Sequence, residues 1–210
     1  MSVEAAAVSR SLPTPKRGRP GYDQRAVLEV AVAAFNEHGY DATSMGMLAT
    51  RLGLSKSAIY HHVPSKVDLL RLALDEALTG LESVLHEDGA QFGTAADRLA
   101  HVVRGAMHVL VERLPFVTLL LRLRGNSEVE REALVRRRAF DRTVSELVVQ
   151  ARDEGSLRSD IDARVATRLL FGMINSVVEW YRPTGPEGAN QLAEDVLTVA
   201  LDGLRTTPAA

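Results

Sequence analysis

The sequence predicts an all-α fold of about nine helices, a small N-terminal three-helix domain joined to a larger helical bundle. Three observations predict it. Apolar residues recur at spacings of three and four along most of the chain, and no stretch shows the alternation of a half-buried strand. Helix-ending residues stand between these stretches, at Gly39, Gly53, Pro64, Pro115, Gly125, Gly155 and Pro183. From Gly39 to Lys66, two short apolar-faced segments flank a glycine turn of about four residues.

Composition sets the limits. With 210 residues, 46% of them hydrophobic and 25% charged, the chain is long enough to bury a substantial core. The formal net charge is only -2, but it is unevenly spread. Met1 to Lys66 holds 8 Lys or Arg against 5 Asp or Glu, whereas Val67 to Ala210 holds 17 against 22. A basic head on an acidic body suits a protein that meets nucleic acid at one end. There is no cysteine, which excludes disulfides, thiolate zinc sites and cysteine nucleophiles. The first residues, MSVEAAAVSRSLPTPKRG, show no apolar leader core, and no later run approaches a membrane span, so the expected location is the cytoplasm without membrane contact.

The elements follow in order. Residues 1–21 lack periodic apolar positions and read as a flexible basic arm. Within it, Lys16-Arg17-Gly18-Arg19-Pro20 is similar to an AT-hook core. Arg17 and Arg19 would lie along a narrow minor groove, or the tail would touch phosphates only; the residues fit both. A first helix runs from Tyr22, with Asp23 as its cap, Val27, Val30, Ala31, Ala34 and Phe35 on its apolar face, and Gly39 at its end. Thr43 or Ser44 caps a second, carrying Met47, Leu48 and Leu52 and ending at Gly53. A third opens at Leu54-Ser55, passes Ala58, Ile59 and Tyr60, and stops before Pro64.

The third helix begins with Ser55, Lys56 and Ser57 and goes on to Tyr60, His61 and His62. A recognition helix enters the major groove N-terminus first, so short hydroxyls and a lysine belong where bases and phosphates are met. An ordinary helical hairpin has no need of them. Lys66, at the start of the next helix, adds positive charge where helix amides favour an anion. The candidate DNA contacts are therefore Arg17, Arg19, Thr43, Ser44, Ser55, Lys56, Ser57, Tyr60, His61 and Lys66.

Taken together, Thr43-Ser44-Met45, Ala49, Leu52-Gly53-Leu54-Ser55-Lys56, Ala58-Ile59-Tyr60, His62, Pro64-Ser65-Lys66 and Leu69-Leu70 resemble the DNA-binding domain of the TetR/AcrR family of bacterial transcription regulators. The resemblance covers residues 22 to 70. One position departs from it: Gly46-Met47 stands where the family usually has a polar or charged pair. The resemblance implies a DNA-binding domain over 22–68, a ligand-binding and dimerisation domain over 69–210, and His62 packed inward.

Past Lys66 every segment reads as helix: about Ser65 to His86; from Thr94 to Leu114, broken by Pro115; Phe116 to Leu123; Ser127 to Glu154, opened by a Ser127/Glu130 capping box; about Asp160 or Asp162 to Tyr181; and Asn190 to Leu204. On the helix ending at Tyr181, Ala166, Leu169, Leu170, Phe171, Met173, Ile174, Val177, Val178, Trp180 and Tyr181 cover more than half the circumference. One neighbour cannot bury so wide an arc, which points to a second subunit. Leu192, Val196, Val199, Ala200 and Leu204 form a second stripe. The resemblance implies that these two helices pair in a homodimer, with Val177, Tyr181, Val196, Ala200 and Leu204 in the interface, and that its two-fold axis matches a palindromic operator.

Arg137 falls by helical angle among Ala133, Phe140, Val144, Val148 and Ala151. A buried guanidinium needs a carboxylate or an anionic ligand; alternatively its stem packs and its head reaches water. Arg122 and Arg182 are candidates at a pocket mouth, with Phe140, Met173, Asn175 and Trp180 completing the set. The block Glu179-Trp180-Tyr181-Arg182-Pro183 resembles a subgroup of the family that senses acyl-CoA thioesters. No catalytic constellation, metal-ligand spacing or cofactor motif is present, and His101 and His108 are seven residues apart on a polar face. The expected protein is a ligand-released repressor and not an enzyme. The alternative is an architectural minor-groove protein dominated by its arm.

Overall fold

The computed structural model describes residues 24–185 and 188–204, and the regular elements among them are all helices. The ten helices are α1 Gln24–His38, α2 Met45–Leu52, α3 Lys56–His62, α4 Lys66–Leu85, α5 Asp88–Gln91, α6 Ala95–Glu112, α7 Leu114–Leu121, α8 Glu128–Asp153, α9 Ala163–Trp180 and α10 Ala189–Leu204. The sequence reading missed α5. It is a single turn containing Gly89, too short to show a period, and Glu87-Asp88-Gly89 had read as a plain break. Asp23 and the arm with Arg17 and Arg19 lie outside the described residues.

Side-chain caps set the starts. Ser44, Ser55, Ser65, Thr94 and Ser127 each accept a backbone N–H from the first turn of their helix, and Asp162 accepts two. Each such cap is worth about 1 kcal/mol. At α8 the capping box goes further. Glu130 is buried, and its Oε2 accepts the backbone N–H groups of Arg124, Gly125 and Asn126 at 3.3, 2.9 and 3.1 Å, which fixes the α7–α8 turn. Gly53 ends α2 at φ 64°, a left-handed conformation that strains any residue with a Cβ.

Helix α4 is the spine of the molecule. It packs on α1 at its N-terminal end and on α6, α7 and α8 further along, so a single rod joins head to body. Gly105 lets α6 come close: a Cβ there would lie 2.3 Å from Cγ1 of Val84. Arg136 of α8 donates to both carboxylate oxygens of Glu82 at 2.8 and 2.7 Å and also to Asp75, tying α8 to α4 twice. That pairing holds the Glu82 carboxyl below its usual range. Where the head meets the body, Asn36 Nδ2 donates to the carbonyl of Pro115 and Arg122 donates to the carbonyl of Asn36, both at 2.8 Å. The Asn36 Oδ1 is buried without a partner.

Candidate nucleic-acid interface and effector cleft

The head is built to hold α3 outward. Val27, Ala31, Val32 and Phe35 of α1, Leu48 and Leu52 of α2, and Ile59 and Val63 at α3 share one core. Because Ile59 is the one fully buried side chain of α3, the opposite face is presented to solvent. Ser55, Lys56, Ser57, Tyr60 and His61 are all exposed there, while His62 is half-buried. The Ser55 and Ser57 hydroxyls lie 3.0 Å apart, so the two act as one hydrogen-bonding unit at the helix start. Met47 of α2 is exposed and Gly46 half-buried beside it. The α2 face therefore presents a thioether where the resemblance led to the expectation of a polar or charged pair.

Two predicted contacts are engaged inside the protein. Thr43 is 1% exposed, and its hydroxyl donates to the carbonyls of Gly39 at 2.8 Å and Ala34 at 3.4 Å. It locks the α1–α2 turn and leaves the capping of α2 to Ser44. Lys66 turns back, its Nζ donating to the Tyr40 carbonyl at 2.9 Å and standing 4.2 Å from the centre of the Tyr40 ring. The α4 start is also filled by an acid of its own, since the Ser65 hydroxyl donates to Asp68. The expectation of an anion there gives way to a clamp between the α1–α2 turn and α4.

In the body, a cleft of about 930 Å³ opens between α8 and α9. Arg137, Arg138 and Arg142 line it from α8 and Arg168 from α9. Elsewhere Arg25, Arg51, Arg71, Arg104, Arg113, Arg136 and Arg158 each have a carboxylate within 4 Å. Arg152 and Arg164 line the cleft too and lie within 4 Å of Asp153 and Asp162. Arg137, Arg138, Arg142 and Arg168 have no carboxylate that close among the described residues, as is also true of Arg98, Arg122, Arg124, Arg131 and Arg182 outside the cleft. Asp141, Glu146 and Asp162 are the acids of the lining. Asp141 is half-buried; burial pushes its carboxyl above the usual range, and nearby Arg137 pulls it back. Beneath is a small apolar pouch of about 30 Å³ between α4, α6, α7, α8 and α9. Arg137, Asp141, Phe171 and Asn175 line both spaces.

Of the predicted ligand residues, Arg137 and Asn175 line the cleft and Phe140 the pouch, where its ring meets Phe171 at 5.7 Å. Four do not converge there. Arg122 is held at the head–body seam by the Asn36 carbonyl, which a helical-angle argument within one segment could not foresee. Arg182 is exposed and donates to the Tyr181 carbonyl beyond the end of α9. Trp180 is exposed and Met173 half-buried, both on a different arc of α9 from the cleft. The sequence reading missed Arg138, Arg142 and Arg168 as individuals. Their signal was visible as arginines at intervals of four or five on α8, but solvated faces look the same.

The predicted dimer residues also need correction. Val177, Tyr181, Val196 and Ala200 are buried within their own protomer, and Leu204 is half-buried, because α10 lies on α6 and takes that stripe inward. The apolar side chains left outside are Val165, Leu169 and Trp180 on α9 and Val199 on α10; Leu169 is 62% and Val199 67% exposed.

No helix among the described residues is long and apolar enough to cross a membrane, and no group of His, Cys, Asp or Glu among them could hold a metal ion. Residues 27–73 match the family described as bacterial regulatory proteins, tetR family, and residues 93–204 match the tetracyclin repressor-like C-terminal domain. The solved structure of SCO3833, a TetR-family regulator from Streptomyces coelicolor A3, is 52% identical with a TM-score of 0.80 and covers 86% of this chain and 91% of its own. The HTH-type transcriptional repressor KstR2 of Rhodococcus jostii is 28% identical over 190 residues, 85% of this chain and 89% of that protein. The structure of AibR in complex with isovaleryl coenzyme A and operator DNA shares the fold at 24% identity and a TM-score of 0.70, covering 84% and 96% of the two chains.

Proposed function

The chain belongs to the TetR family of DNA-binding transcriptional regulators, and from that premise we propose that it is a repressor released from operator DNA by an acyl-CoA thioester bound between α8 and α9. The observation that carries the effector reading is a cleft lined by six arginines against three carboxylates, Asp141, Glu146 and Asp162, with Arg137, Arg138, Arg142 and Arg168 more than 4 Å from any carboxylate of the described residues. Guanidinium groups favour phosphate through paired hydrogen bonds, so a cleft of about 930 Å³ whose arginines outnumber its carboxylates suits a phosphate-bearing ligand. AibR, of the same fold, holds isovaleryl coenzyme A, which agrees in ligand class. An architectural role through the arm has no such support from the family.

On the DNA side, the exposed face of α3 supplies Ser55, Lys56, Ser57, Tyr60 and His61, with Ser44 at the start of α2. A homodimer meeting through the exposed stripe of Val165, Leu169, Trp180 and Val199 presents two copies of α3 to a palindromic site. Release requires only that the ligand bind the DNA-incompetent arrangement more tightly; tenfold preference supplies about 1.4 kcal/mol per site. The test is binding to the region upstream of its own gene. Lys56→Ala should weaken it and lower the salt dependence by about one unit of slope per protomer. Tyr60→Phe should weaken it by about 1 kcal/mol at an unchanged melting temperature. Unaltered binding by both variants would remove α3 as the reading helix.

A further inference from the structure

Resting on the effector reading above, we infer that this regulator selects short acyl groups, of about three to four carbons, and that the pouch under Phe140 and Phe171 sets the limit. The cleft and the pouch share four wall residues, Arg137, Asp141, Phe171 and Asn175, which we take as the neck between an outer and an inner compartment. The outer compartment is wide and rich in arginine. The inner one is walled by Leu110, Leu120, Leu121 and Ala106 and is about 30 Å³.

That volume decides the chemistry. An engineered cavity of about 150 Å³ takes up benzene, six carbons, so about 30 Å³ holds one or two carbons and little more. The thioester carbonyl and its neighbouring carbon then sit in the neck, where Asn175 offers an amide, and only the end of the acyl chain enters the pouch. A long chain or a polycyclic group has no matching space below the neck. The walls are also hard to push apart: Leu110 and Leu120 are fully buried side chains of the main core, and Phe140 packs on Phe171. Within the permitted length each added methylene should gain about fourfold in affinity, and beyond it the gain should stop.

The test is calorimetric titration of the full-length protein, free of DNA, with CoA, acetyl-CoA, isobutyryl-CoA, isovaleryl-CoA, octanoyl-CoA and palmitoyl-CoA. Isobutyryl-CoA should bind best, with palmitoyl-CoA at least ~10-fold weaker. Ala106→Val fills the pouch and should bring the isobutyryl-CoA to CoA affinity ratio toward one. Leu121→Ala, at a half-buried wall position, should move the optimum toward octanoyl-CoA. Circular dichroism melts establish that each variant is folded. Palmitoyl-CoA binding as tightly as isobutyryl-CoA, or a length series unmoved in both folded variants, overturns the pouch assignment while leaving CoA thioesters as effectors. No binding by any of the six overturns the effector reading itself.

Discussion

Replacing Arg136 by Met tests whether the tie between α8 and α4 contributes to stability, and the structure sets both its size and its pH dependence. The guanidinium makes a forked pair with Glu82 and a further contact to Asp75. Hydrogen bonds to charged groups contribute about 1.5–3 kcal/mol when shielded. Here the side chains of Arg136, Glu82 and Asp75 are 33%, 36% and 49% exposed, so water screens the pair and the estimate falls to about 1–2 kcal/mol. Methionine keeps the apolar stem and its packing. For a chain of this size that loss corresponds to about 2–8 °C in melting temperature. The sign with pH follows from Glu82, whose folded carboxyl is held below the ordinary glutamate value of 4.5 by its hydrogen bonds to Arg136. Such a group contributes stability above its unfolded pKa and loses it as pH falls through the folded one. The gap between wild type and Arg136→Met should therefore be full at neutral pH and shrink below pH 4.5. The assay is urea unfolding followed at 222 nm, at fixed protomer concentration, from pH 7 down to pH 4. A gap under about 0.5 kcal/mol at pH 7, or one that grows as pH falls, refutes the reasoning.

Other changes give equally direct readings. Gly105→Ala forces a Cβ to within 2.3 Å of the Val84 side chain, and overpacking at this α4–α6 contact should cost about 1–3 kcal/mol in urea unfolding. Thr43→Val removes the hydroxyl bond to Gly39 from a buried site; it should lower stability by about 1 kcal/mol without changing the salt slope of DNA binding, since the side chain does not face DNA. Leu169→Glu places a charge in the exposed α9 stripe and should shift the dimer toward monomer in sedimentation, with a lone protomer as stable as its core allows. A dimer that survives Leu169→Glu undiminished at micromolar concentration would mean that the subunits meet elsewhere.

The elements that repeat were legible in the sequence. The starts at Ser44, Ser55, Ser65, Thr94 and Ser127 follow from one local rule, a side-chain oxygen accepting an amide within three residues, and the glycine at 53 announces its own backbone angle. The exposed face of α3 was legible for the same reason. What could not be read was direction in three dimensions. Helical angle put Val177, Val196 and Ala200 on apolar stripes correctly, but nothing local says that α10 turns its stripe onto α6 and not toward a partner. Lys66 and Arg122 read as free cations because the carbonyls that hold them belong to residues 26 and 86 positions away. Arg136 carries no local sign of its two carboxylates, which α4 supplies from 54 and 61 positions away. Nor does anything local show that its neighbours Arg137, Arg138 and Arg142 share a cleft with Arg168 of α9.

Helix α4 also fixes how finely head spacing can be set. At about 1.5 Å per residue, the fourteen residues from Gly80, where α4 meets Val109 of α6, to Lys66, clamped to the α1–α2 turn, span about 21 Å. A rigid rod of that length moves its free end by about 0.4 Å for each degree of tilt, and two-fold symmetry doubles the change in separation between heads. About five degrees is then enough to displace the two copies of α3 by roughly one base pair against a helical repeat of about 34 Å. A protein geared in this way needs no large rearrangement in its body to lose register with DNA; a tilt smaller than the scatter between ordinary helix-packing angles suffices.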